Sequence, residues 1–263
     1  MISKTAVIGK NAQIGENVSI GNFTTIDDDV VIGNNTSIGN CVDIKAGARI
    51  GDNCQISSCA VLAGAPQDLK FKGEYTTLEI GDNTIIREYV TINRGTISKG
   101  KTVVGNNTLI MANSHIGHDC RIGDHCVIGF NVGMAGEVEV LDWANISGLT
   151  GIHQFTRIGA HVMISGLSKI AKDVPPYIVA ARDPLTYEGI NRIGLTRRGF
   201  DIHKINELKE IYRIIFQQKR NTTLALNFIE DNFKQTQERD EIISFIRSSS
   251  RGIIKGFFDS QNE

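Results

Sequence analysis

Histidine is the residue type in this chain best suited to catalysis. The sequence contains six histidines, and five of them fall between residues 115 and 161. A neutral imidazole can take the proton of a hydroxyl group, and a nearby backbone N–H can stabilise the oxyanion that forms when the oxygen attacks a carbonyl. His118 as the base, Gly136 as the amide donor and Asp119 as the group that selects the imidazole tautomer would supply this chemistry.

Two other interpretations of the histidines stay open from the residues alone. His115, His118 and His153 could together bind zinc, because imidazole nitrogen is a common zinc ligand. Alternatively, the three side chains could be solvated residues at turns, without a chemical role. His125 and His161 are expected to be structural.

A pair of arginines is the second candidate group. Arg197 and Arg198 lie in the run GLTRRGF. Two adjacent guanidinium groups suit a diphosphate, since each can bind phosphate oxygens in a bidentate manner. A solvated charge pair is the alternative.

A six-residue repeat determines how these groups are placed. An aliphatic marker residue recurs at every sixth position from Ile8 to Ile170, often followed by glycine, and the register fails only at Asp68, Glu74 and Ser98. A helix cannot use this period, since steps of six carry the apolar residue right around the helix axis. A strand followed by a corner can, with glycine or asparagine aiding the corner.

Three such units make one triangular coil, and stacked coils pair their strands at about 4.8 Å. The predicted fold is therefore an all-β parallel β-helix, in which no coil buries its inner face alone. The markers Ile116, Met134 and Ile152 stack in adjacent coils. The residues beside these markers are expected to cluster on one edge of the prism: His115, His118, Gly136, Glu137 and His153.

The repeat also predicts the domain organisation. Residues 1–182 are expected to form the prism, with loops near 64–77 and 94–101 that leave it intact, because the register resumes unshifted. From about Asp183 apolar residues recur at intervals of three and four, which predicts a small α-helical C-terminal domain over 183–263. Two of its helices are expected at 221–233 and 239–247, the first of them capped by Asn221 or Thr222.

Composition excludes several classes of protein. The 28 basic and 29 acidic residues give a net charge of −1, so no bulk attraction for nucleic acid or an anionic membrane is expected. The lack of a long apolar run predicts no stable membrane insertion. Five cysteines without a CxxC motif favour a reducing compartment, hence the cytoplasm. Cys54, Cys120 and Cys126 are expected to fill the core.

Several runs in this chain closely resemble one known family, the acyl-ACP–UDP-N-acetylglucosamine O-acyltransferases. They are Gln67-Asp68-Leu69-Lys70, His115-Ile116-Gly117-His118-Asp119-Cys120, His153-Gln154-Phe155, Ile158-Gly159-Ala160-His161-Val162-Met163, Asp173-Val174-Pro175-Pro176-Tyr177 and Arg197-Arg198-Gly199-Phe200. The resemblance covers nearly the whole chain. It implies the first step of lipid A synthesis, a left-handed β-helix and a homotrimer with active sites between subunits. It also implies acyl carrier protein and UDP-N-acetylglucosamine as substrates, with no cofactor or resident metal.

The resemblance implies roles for individual residues. His118 matches the catalytic base, and Gly136 matches the residue whose N–H faces the thioester oxygen. Gly166 matches the position that limits acyl length, where glycine leaves the groove open to longer chains. The other matches to substrate-binding positions are Gln67, Asp68, Lys70, His115, His153, Gln154, Asn191, Arg197 and Arg198. The implied reaction is direct transfer to the sugar 3-hydroxyl without an acyl-enzyme.

Three positions depart from the family pattern on the sugar or nucleotide side. Asn93 and Glu137 replace histidines, and Ile193 replaces a glutamate. A UDP-sugar with a 3-amino group therefore stays an alternative acceptor. A γ-carbonic-anhydrase-like trimeric metalloenzyme and a non-catalytic scaffold stay alternative functions. Acyl length, 3-hydroxylation of the donor and the surface that docks acyl carrier protein are not specified by these residues.

Overall fold

The computed structural model describes residues 1–217 and 221–256. Within these ranges the chain forms strands β1–β28 and helices α1–α4, numbered in chain order. Most strands contain two to four residues and are joined by tight corners, as expected for six-residue units. The strands form three long sheets, which are the three faces of a triangular prism.

The described strands divide among the three sheets as follows. Sheet 1 contains β1 Val7–Ile8, β4 Thr25–Ile26, β7 Asp43–Ile44, β10 Val61–Gly64, β13 Thr91–Asn93, β16 His115–Ile116, β19 Gly133–Met134, β22 Gly151–Ile152 and β25 Lys169–Ile170. Sheet 2 contains β2 Gln13–Ile14, β5 Val30–Ile32, β8 Ala48–Ile50, β11 Thr77–Ile80, β14 Lys101–Val104, β17 Arg121–Ile122, β20 Glu139–Val140 and β23 Arg157–Ile158. Sheet 3 contains β3 Ser19–Ile20, β6 Ser37–Ile38, β9 Gln55–Ile56, β12 Ile85–Ile86, β15 Leu109–Ile110, β18 Val127–Ile128, β21 Asn145–Ile146, β24 Met163–Ile164, β26 Ile178–Ala181, β27 Thr186–Ile190 and β28 Lys255–Gly256.

Stacked coils pair in parallel with a constant register. Marker residues face marker residues: Ile116 pairs with Met134, and Met134 pairs with Ile152. The chain leaves this ladder between β10 and β11 and again between β13 and β14. The pairing Leu62 with Ile92 and then Ile92 with Ile116 spans both excursions without a shift at the marker. The first loop begins at a β-bulge, where Gly64 pairs with Asn93, but both loops leave the register of the markers unchanged.

The markers fill the interior of the prism. Ile44, Ile92 and Ile128 have no exposed surface. The prediction that Cys54, Cys120 and Cys126 fill the core is confirmed, since each is 1% exposed. Burial raises the pKa of Cys120 and of Cys126 to about 12, so these thiols stay protonated and behave as small apolar side chains.

The corners explain the frequency of asparagine and glycine, though by different causes. Asn17, Asn35 and Asn107 have φ of 57°, 55° and 54°, in the left-handed region that asparagine tolerates better than most residues. The glycine after a marker allows close approach of the next coil. A Cβ on Gly33 would lie 2.5 Å from the carbonyl carbon of Gly51.

The C-terminal part begins with strands. Helical structure was expected from about Asp183, but β27 pairs antiparallel with β26 and the first helix begins at Arg192. The run before Arg192 contains Pro184 and Gly189, both unfavourable inside a helix, and it continues sheet 3 instead. The helices are α1 Arg192–Arg197, α2 Ile202–Gln217, α3 Thr222–Asn232 and α4 Gln237–Arg247.

The expected cap of α3 is present: Asn221 accepts a hydrogen bond from the backbone N–H of Thr223. Residues 218–220 and 257–263 of the predicted C-terminal domain lie outside the described residues. In the described part of the chain, no helix combines the length and apolar character needed to cross a membrane.

Buried polar contacts attach the helices to the prism. The hydroxyl of Tyr212 donates to the carbonyl of Pro176 at 2.7 Å. Asp173, which is fully buried, accepts from the backbone of Arg157 and from the hydroxyl of Ser249. Buried polar groups need such partners, so these bonds fix the helical part against the last coils.

Candidate active site

His118 and Gly136 meet at the edge between sheets 1 and 2, which we call the 1–2 edge. His118 follows β16, and Gly136 occupies the same corner one coil further along. A Cβ built on Gly136 would lie 2.5 Å from Nε2 of His118, so the imidazole covers this glycine and a larger residue could not fit. Gly117 likewise allows close approach, since its Cβ would lie 2.8 Å from the nitrogen of Gly136. The structure thus brings His118 and Gly136 together.

Asp119 holds the His118 ring through a hydrogen bond. The distance from His118 Nδ1 to Asp119 Oδ2 is 2.8 Å, and Asp119 is fully buried. Adjacent side chains usually diverge, but Asp119 has φ of 59°, a turn conformation that lets the two side chains meet. With Nδ1–H donated to the carboxylate, Nε2 carries the free lone pair of a base.

The second of the two loops, near residues 94–101, encloses the carboxylate of Asp119. Thr96 donates its backbone N–H to Oδ1 at 2.9 Å and its hydroxyl to Oδ2 at 2.7 Å, and Lys99 donates its backbone N–H to Oδ1 at 3.2 Å. Burial would raise the pKa of Asp119, but the bonds from His118 and Thr96 outweigh it and hold that pKa below its usual value. Asp119 is therefore an anion that fixes the orientation of His118.

Glu137 ties the same loop to the next coil. Its Oε1 accepts from the hydroxyl of Ser98 at 3.0 Å, and its Oε2 is 3.8 Å from Nζ of Lys99. Its backbone N–H donates to the carbonyl of His118 at 2.9 Å. Glu137 thus holds the loop that encloses Asp119.

An open apolar strip runs across sheet 1 beside the His118 edge. His115 pairs with Gly133, and Gly133 pairs with Gly151. A Cβ on either glycine would meet no atom within 4 Å. His153 and Lys169 lie along the same strip. The arrangement offers a shallow channel, floored by glycine, on the face of sheet 1 next to the edge that carries His118.

The other two predicted histidines differ in their settings. His115 is half-buried, and its Nδ1 lies 2.7 Å from the hydroxyl of Thr91. Burial lowers the pKa of His115, so a neutral ring is favoured. His153 is exposed, and its Nδ1 bonds the carbonyl of Gln154 at 3.0 Å. Both rings use Nδ1 for these bonds, and both side chains line the strip.

The first loop, near residues 64–77, also starts from the 1–2 edge. It carries three predicted substrate-binding residues. Gln67 and Lys70 are exposed, and Asp68 is half-buried with its carboxylate accepting from the backbone of Lys70 at 2.9 Å. Asn93 anchors the start of this loop by donating to the carbonyl of Ala65 at 2.9 Å. The loop thus places polar side chains above the 1–2 edge.

The predicted nucleotide-binding residues lie on a different edge, between sheets 2 and 3, which we call the 2–3 edge. Asn191 caps α1 by accepting from Gly194 N–H, and its amide donates to the carbonyl of His161 at 2.8 Å. Both ends of the Asn191 side chain are used, so the structure shows how it places α1, and direct contact with substrate stays a prediction. Arg197 is exposed and Arg198 half-buried.

Gly166 lies on the third edge, between sheets 3 and 1, which we call the 3–1 edge. A Cβ there would come within 3.3 Å of the carbonyl of Gly148. One chain therefore brings together His115, His118, Asp119, Gly136, His153 and Gln154. It does not bring Gly166 or the helical residues Asn191, Arg197 and Arg198 to them.

The zinc interpretation finds no support in the geometry. Among residues 1–217 and 221–256, no three His, Cys, Asp or Glu side chains are placed to hold a metal ion. His118 Nδ1 and His115 Nδ1 are occupied by bonds to Asp119 and Thr91.

Sequence reasoning missed the groups that support the base. Thr96, Ser98 and Lys99 lie in an excursion without a period, so no spacing relates them to Asp119. The repeat fails at Ser98, and glycines stand at positions 95 and 100. These features indicate a tight loop, but they do not indicate that the loop contacts Asp119.

Family models match both parts of the chain. The model described as "Udp N-acetylglucosamine O-acyltransferase; Domain 2" matches residues 173–254. The bacterial transferase hexapeptide model, with six repeats, matches residues 29–64 and 101–136.

Individual relatives match over most of their length. The acyl-[acyl-carrier-protein]–UDP-N-acetylglucosamine O-acyltransferase of Burkholderia mallei is 42% identical over 201 residues, covering 74% of this chain and 77% of that protein. The crystal structure of the UDP-N-acetylglucosamine acyltransferase of Bacteroides fragilis is 50% identical, with a TM-score of 0.95, and covers 97% of this chain and 100% of that one. The Francisella novicida enzyme is 38% identical, with a TM-score of 0.95, covering 99% and 95%.

Fold and site together define a hexapeptide-repeat transferase in which a histidine ring covers a glycine of the next coil. The chain belongs to the UDP-N-acetylglucosamine O-acyltransferase family and is an acyltransferase. The predicted fold class, a left-handed parallel β-helix followed by a small α-helical part, is confirmed.

Proposed function

We propose that this protein transfers an acyl chain from acyl carrier protein to the 3-position of UDP-N-acetylglucosamine, the first step of lipid A biosynthesis. The observation that carries the proposal is the placement of His118 Nε2 directly over Gly136. The names of the Burkholderia mallei and Thiobacillus denitrificans relatives specify this donor and this acceptor. Together these findings do not favour the 3-amino acceptor or the metalloenzyme alternative.

The proposed reaction uses the two groups in one step. His118 Nε2 takes the proton of the sugar 3-hydroxyl, whose oxygen attacks the thioester carbonyl. The Gly136 N–H stabilises the oxyanion, a new C–O bond forms, and the C–S bond breaks. The carrier thiol leaves with a proton from the His118 imidazolium. Asp119 stabilises that imidazolium without changing its own protonation state, as the carboxylate does in a serine protease triad.

A substitution at His118 tests the proposal. We expect His118→Ala to lower kcat with acyl-ACP and UDP-N-acetylglucosamine by about 10²–10⁴, the range for loss of a general base. Product is measured by mass spectrometry with acyl-ACPs of graded length, against UDP-N-acetylglucosamine and its 3-amino analogue. His125→Ala is the matched control and should keep normal turnover. Near-normal turnover of the His118 variant would refute the assignment.

The distribution of the site over two edges supports a homotrimer. His118 lies on the 1–2 edge and Arg198 on the 2–3 edge, with sheet 2 between them, so we propose that the arginines serve the site of a neighbouring copy. Apolar side chains on the 3–1 edge are exposed in the single chain: Phe23 at 68%, Tyr89 at 60%, Leu149 at 48% and Leu167 at 78%. Exposed apolar residues along one line favour burial in an assembly.

Complementation tests this assembly. His118→Ala and Arg198→Ala chains, each impaired alone, should recover part of the wild-type activity when they are coexpressed, because some mixed clefts then contain both wild-type residues. No recovery in mixed trimers, or a monomer by sedimentation velocity, would contradict the shared site. A cytoplasmic location, expected from the five free cysteines, stays a prediction.

A further inference from the structure

A column of aromatic rings runs along the 2–3 edge, away from His118. His125, Trp143, His161 and Tyr177 occupy corner positions of successive coils, with φ of 57°, 62°, 59° and 67°. Successive centroids are 4.0, 6.2 and 5.4 Å apart, and interplanar angles are 12°, 5° and 13°. Phe200 packs edge-on against His161 at 5.2 Å. The register of the coils therefore builds a rigid stack of rings.

Arg198 lies against the middle of this column. Its guanidinium carbon is 5.1 Å from the centroid of the Trp143 ring, and its Nη1 is 3.3 Å from Nδ1 of His161. Burial, and then the charge of Arg198, lower the pKa of His161 to about 4. His161 is therefore neutral near pH 7, and its Nδ1 lone pair can accept a guanidinium N–H.

Within the described part of the chain, the charge of Arg198 has no carboxylate partner. Across residues 1–217 and 221–256, no Asp or Glu forms an ion pair with Arg198, and no carboxylate contributes to the shift of its pKa, which burial lowers. A ring face and a neutral nitrogen fix the guanidinium but leave its positive charge unneutralised. An acidic partner would instead compete with an anionic ligand.

The same column also holds the backbone from which Arg198 extends. The carbonyl of His161 accepts from the Asn191 amide at 2.8 Å, and the carbonyl of Tyr177 accepts from the Asn191 backbone N–H at 2.8 Å. Asn191 caps α1, and Arg198 is the residue that ends it. Both the helix and the guanidinium are thus fixed to successive corners of the prism.

We propose that Trp143 and His161 are positioning residues, which hold Arg198 so that its uncompensated guanidinium binds the diphosphate of the acceptor nucleotide. The inference rests on the proposed function, in which the nucleotide anchors the acceptor sugar and does not itself react. An arginine ordered before binding loses less side-chain entropy when the ligand arrives. The expected effect is on KM for the UDP-sugar, because the diphosphate is bound equally in the ground state and the transition state.

Steady-state kinetics of the full chain test the proposal. We expect Trp143→Leu to raise KM for UDP-N-acetylglucosamine by about tenfold, the scale of a partly desolvated cation–π contact. The kcat value and KM for acyl-ACP should stay within about twofold. Trp143→Phe retains a ring face and should restore most of the affinity. His161→Phe keeps the stacking but removes the Nδ1 acceptor, and should raise KM severalfold.

Two controls separate the possible failures. His125→Leu removes the other ring that stacks on Trp143. Because His125 does not itself contact Arg198, this variant should leave KM for the UDP-sugar unchanged. Isothermal titration calorimetry with UDP alone should rank the variants by affinity in the same order as their KM values, in the absence of turnover. If Arg198→Ala raises KM while both Trp143 variants and His161→Phe do not, the positioning role is wrong and the proposed reaction stands. If wild-type protein transfers no acyl chain to the UDP-sugar, the proposed function itself fails.

Discussion

Asp119 shows how one turn residue organises the chemistry around a base. Its carboxylate accepts from His118 Nδ1 and from the backbone and hydroxyl of Thr96. Each bond to a buried charged group is worth more than a neutral one. The orientation of His118 therefore depends on a loop that contributes no reacting atom.

The hydroxyl of Thr96 provides a test at this scale. Thr96→Val keeps the volume but leaves Asp119 Oδ2 without one donor, which costs about 1–3 kcal/mol. We expect kcat to fall about tenfold, since each 1.36 kcal/mol of barrier is a factor of ten, with KM for both substrates unchanged. Steady-state kinetics with purified acyl-ACP measure the effect.

Thr156→Val is the matched control for this substitution. Both threonines are buried, Thr96 at 6% and Thr156 at 0% exposure, but the hydroxyl oxygen of Thr156 has no hydrogen-bond partner among the described residues. Removing an unpaired buried hydroxyl should leave kcat unchanged and keep or raise the thermal stability. An equal loss of kcat in the two variants would show that the Thr96 bond is not specific to the site.

The elements could be predicted wherever a period governs the packing. The spacing of Ile116, Met134 and Ile152 was sufficient to place His118 beside Gly136, because in-register stacking converts sequence spacing into position. Contacts made by aperiodic segments could not be predicted. Thr96 reaches Asp119 through loop geometry, and Arg198 reaches Trp143 only after α1 has docked on the 2–3 edge.

The strand elements β19 and β22 supply a second test. Gly133 and Gly151 leave open the strip beside His118, where we expect the acyl chain of the donor to lie. Gly133→Leu should fill the strip without disturbing the fold, because a Cβ there meets no atom within 4 Å. We expect turnover of long-chain donors to fall about tenfold or more relative to short-chain donors, because the leucine would cover surface on which about two methylene groups could otherwise pack, at about 0.8 kcal/mol each.

A competition assay with acyl-ACPs of graded length, followed by mass spectrometry, measures this change of preference. Thr25→Leu is the control, since Thr25 is an exposed residue on the same sheet, several coils away. An unchanged length profile in Gly133→Leu would show that the acyl chain takes another path.

The whole molecule joins its prism to its helices partly through a protonation-sensitive pair. The Tyr177 hydroxyl donates to Oε2 of Glu241 in α4. Burial, with help from Glu238 and Asp142, raises the pKa of Glu241 even though the bond from Tyr177 opposes it. A carboxyl whose folded pKa is raised contributes stability below its unfolded pKa, and this contribution is lost as pH rises through the folded value.

Glu241→Gln should therefore be stabilising at high pH. The amide keeps an acceptor for Tyr177 and cannot ionise, so the free energy of unfolding of the variant relative to wild type should increase from pH 5 to pH 8. Urea unfolding at several pH values measures it. Glu230→Gln has the opposite expectation, because the bond from Arg247 lowers the pKa of Glu230. Wild type should lose stability relative to this variant as pH falls below about 4.3, the unperturbed value for glutamate, and the difference should stay constant at higher pH. A pH-independent difference for Glu241→Gln would contradict the assignment.

Because the register of the markers is constant, the sheet 1 strip can be lengthened or shortened only by whole coils. Each coil adds one strand spacing, about 4.8 Å, and the inner markers of any coil fit those of the next. Duplicating or deleting one complete eighteen-residue turn between Gly151 and Lys169 would therefore lengthen or shorten the channel by one increment while leaving His118 and Gly136 in place. Substrate range in such a scaffold can be changed by the number of turns as well as by the choice of side chains.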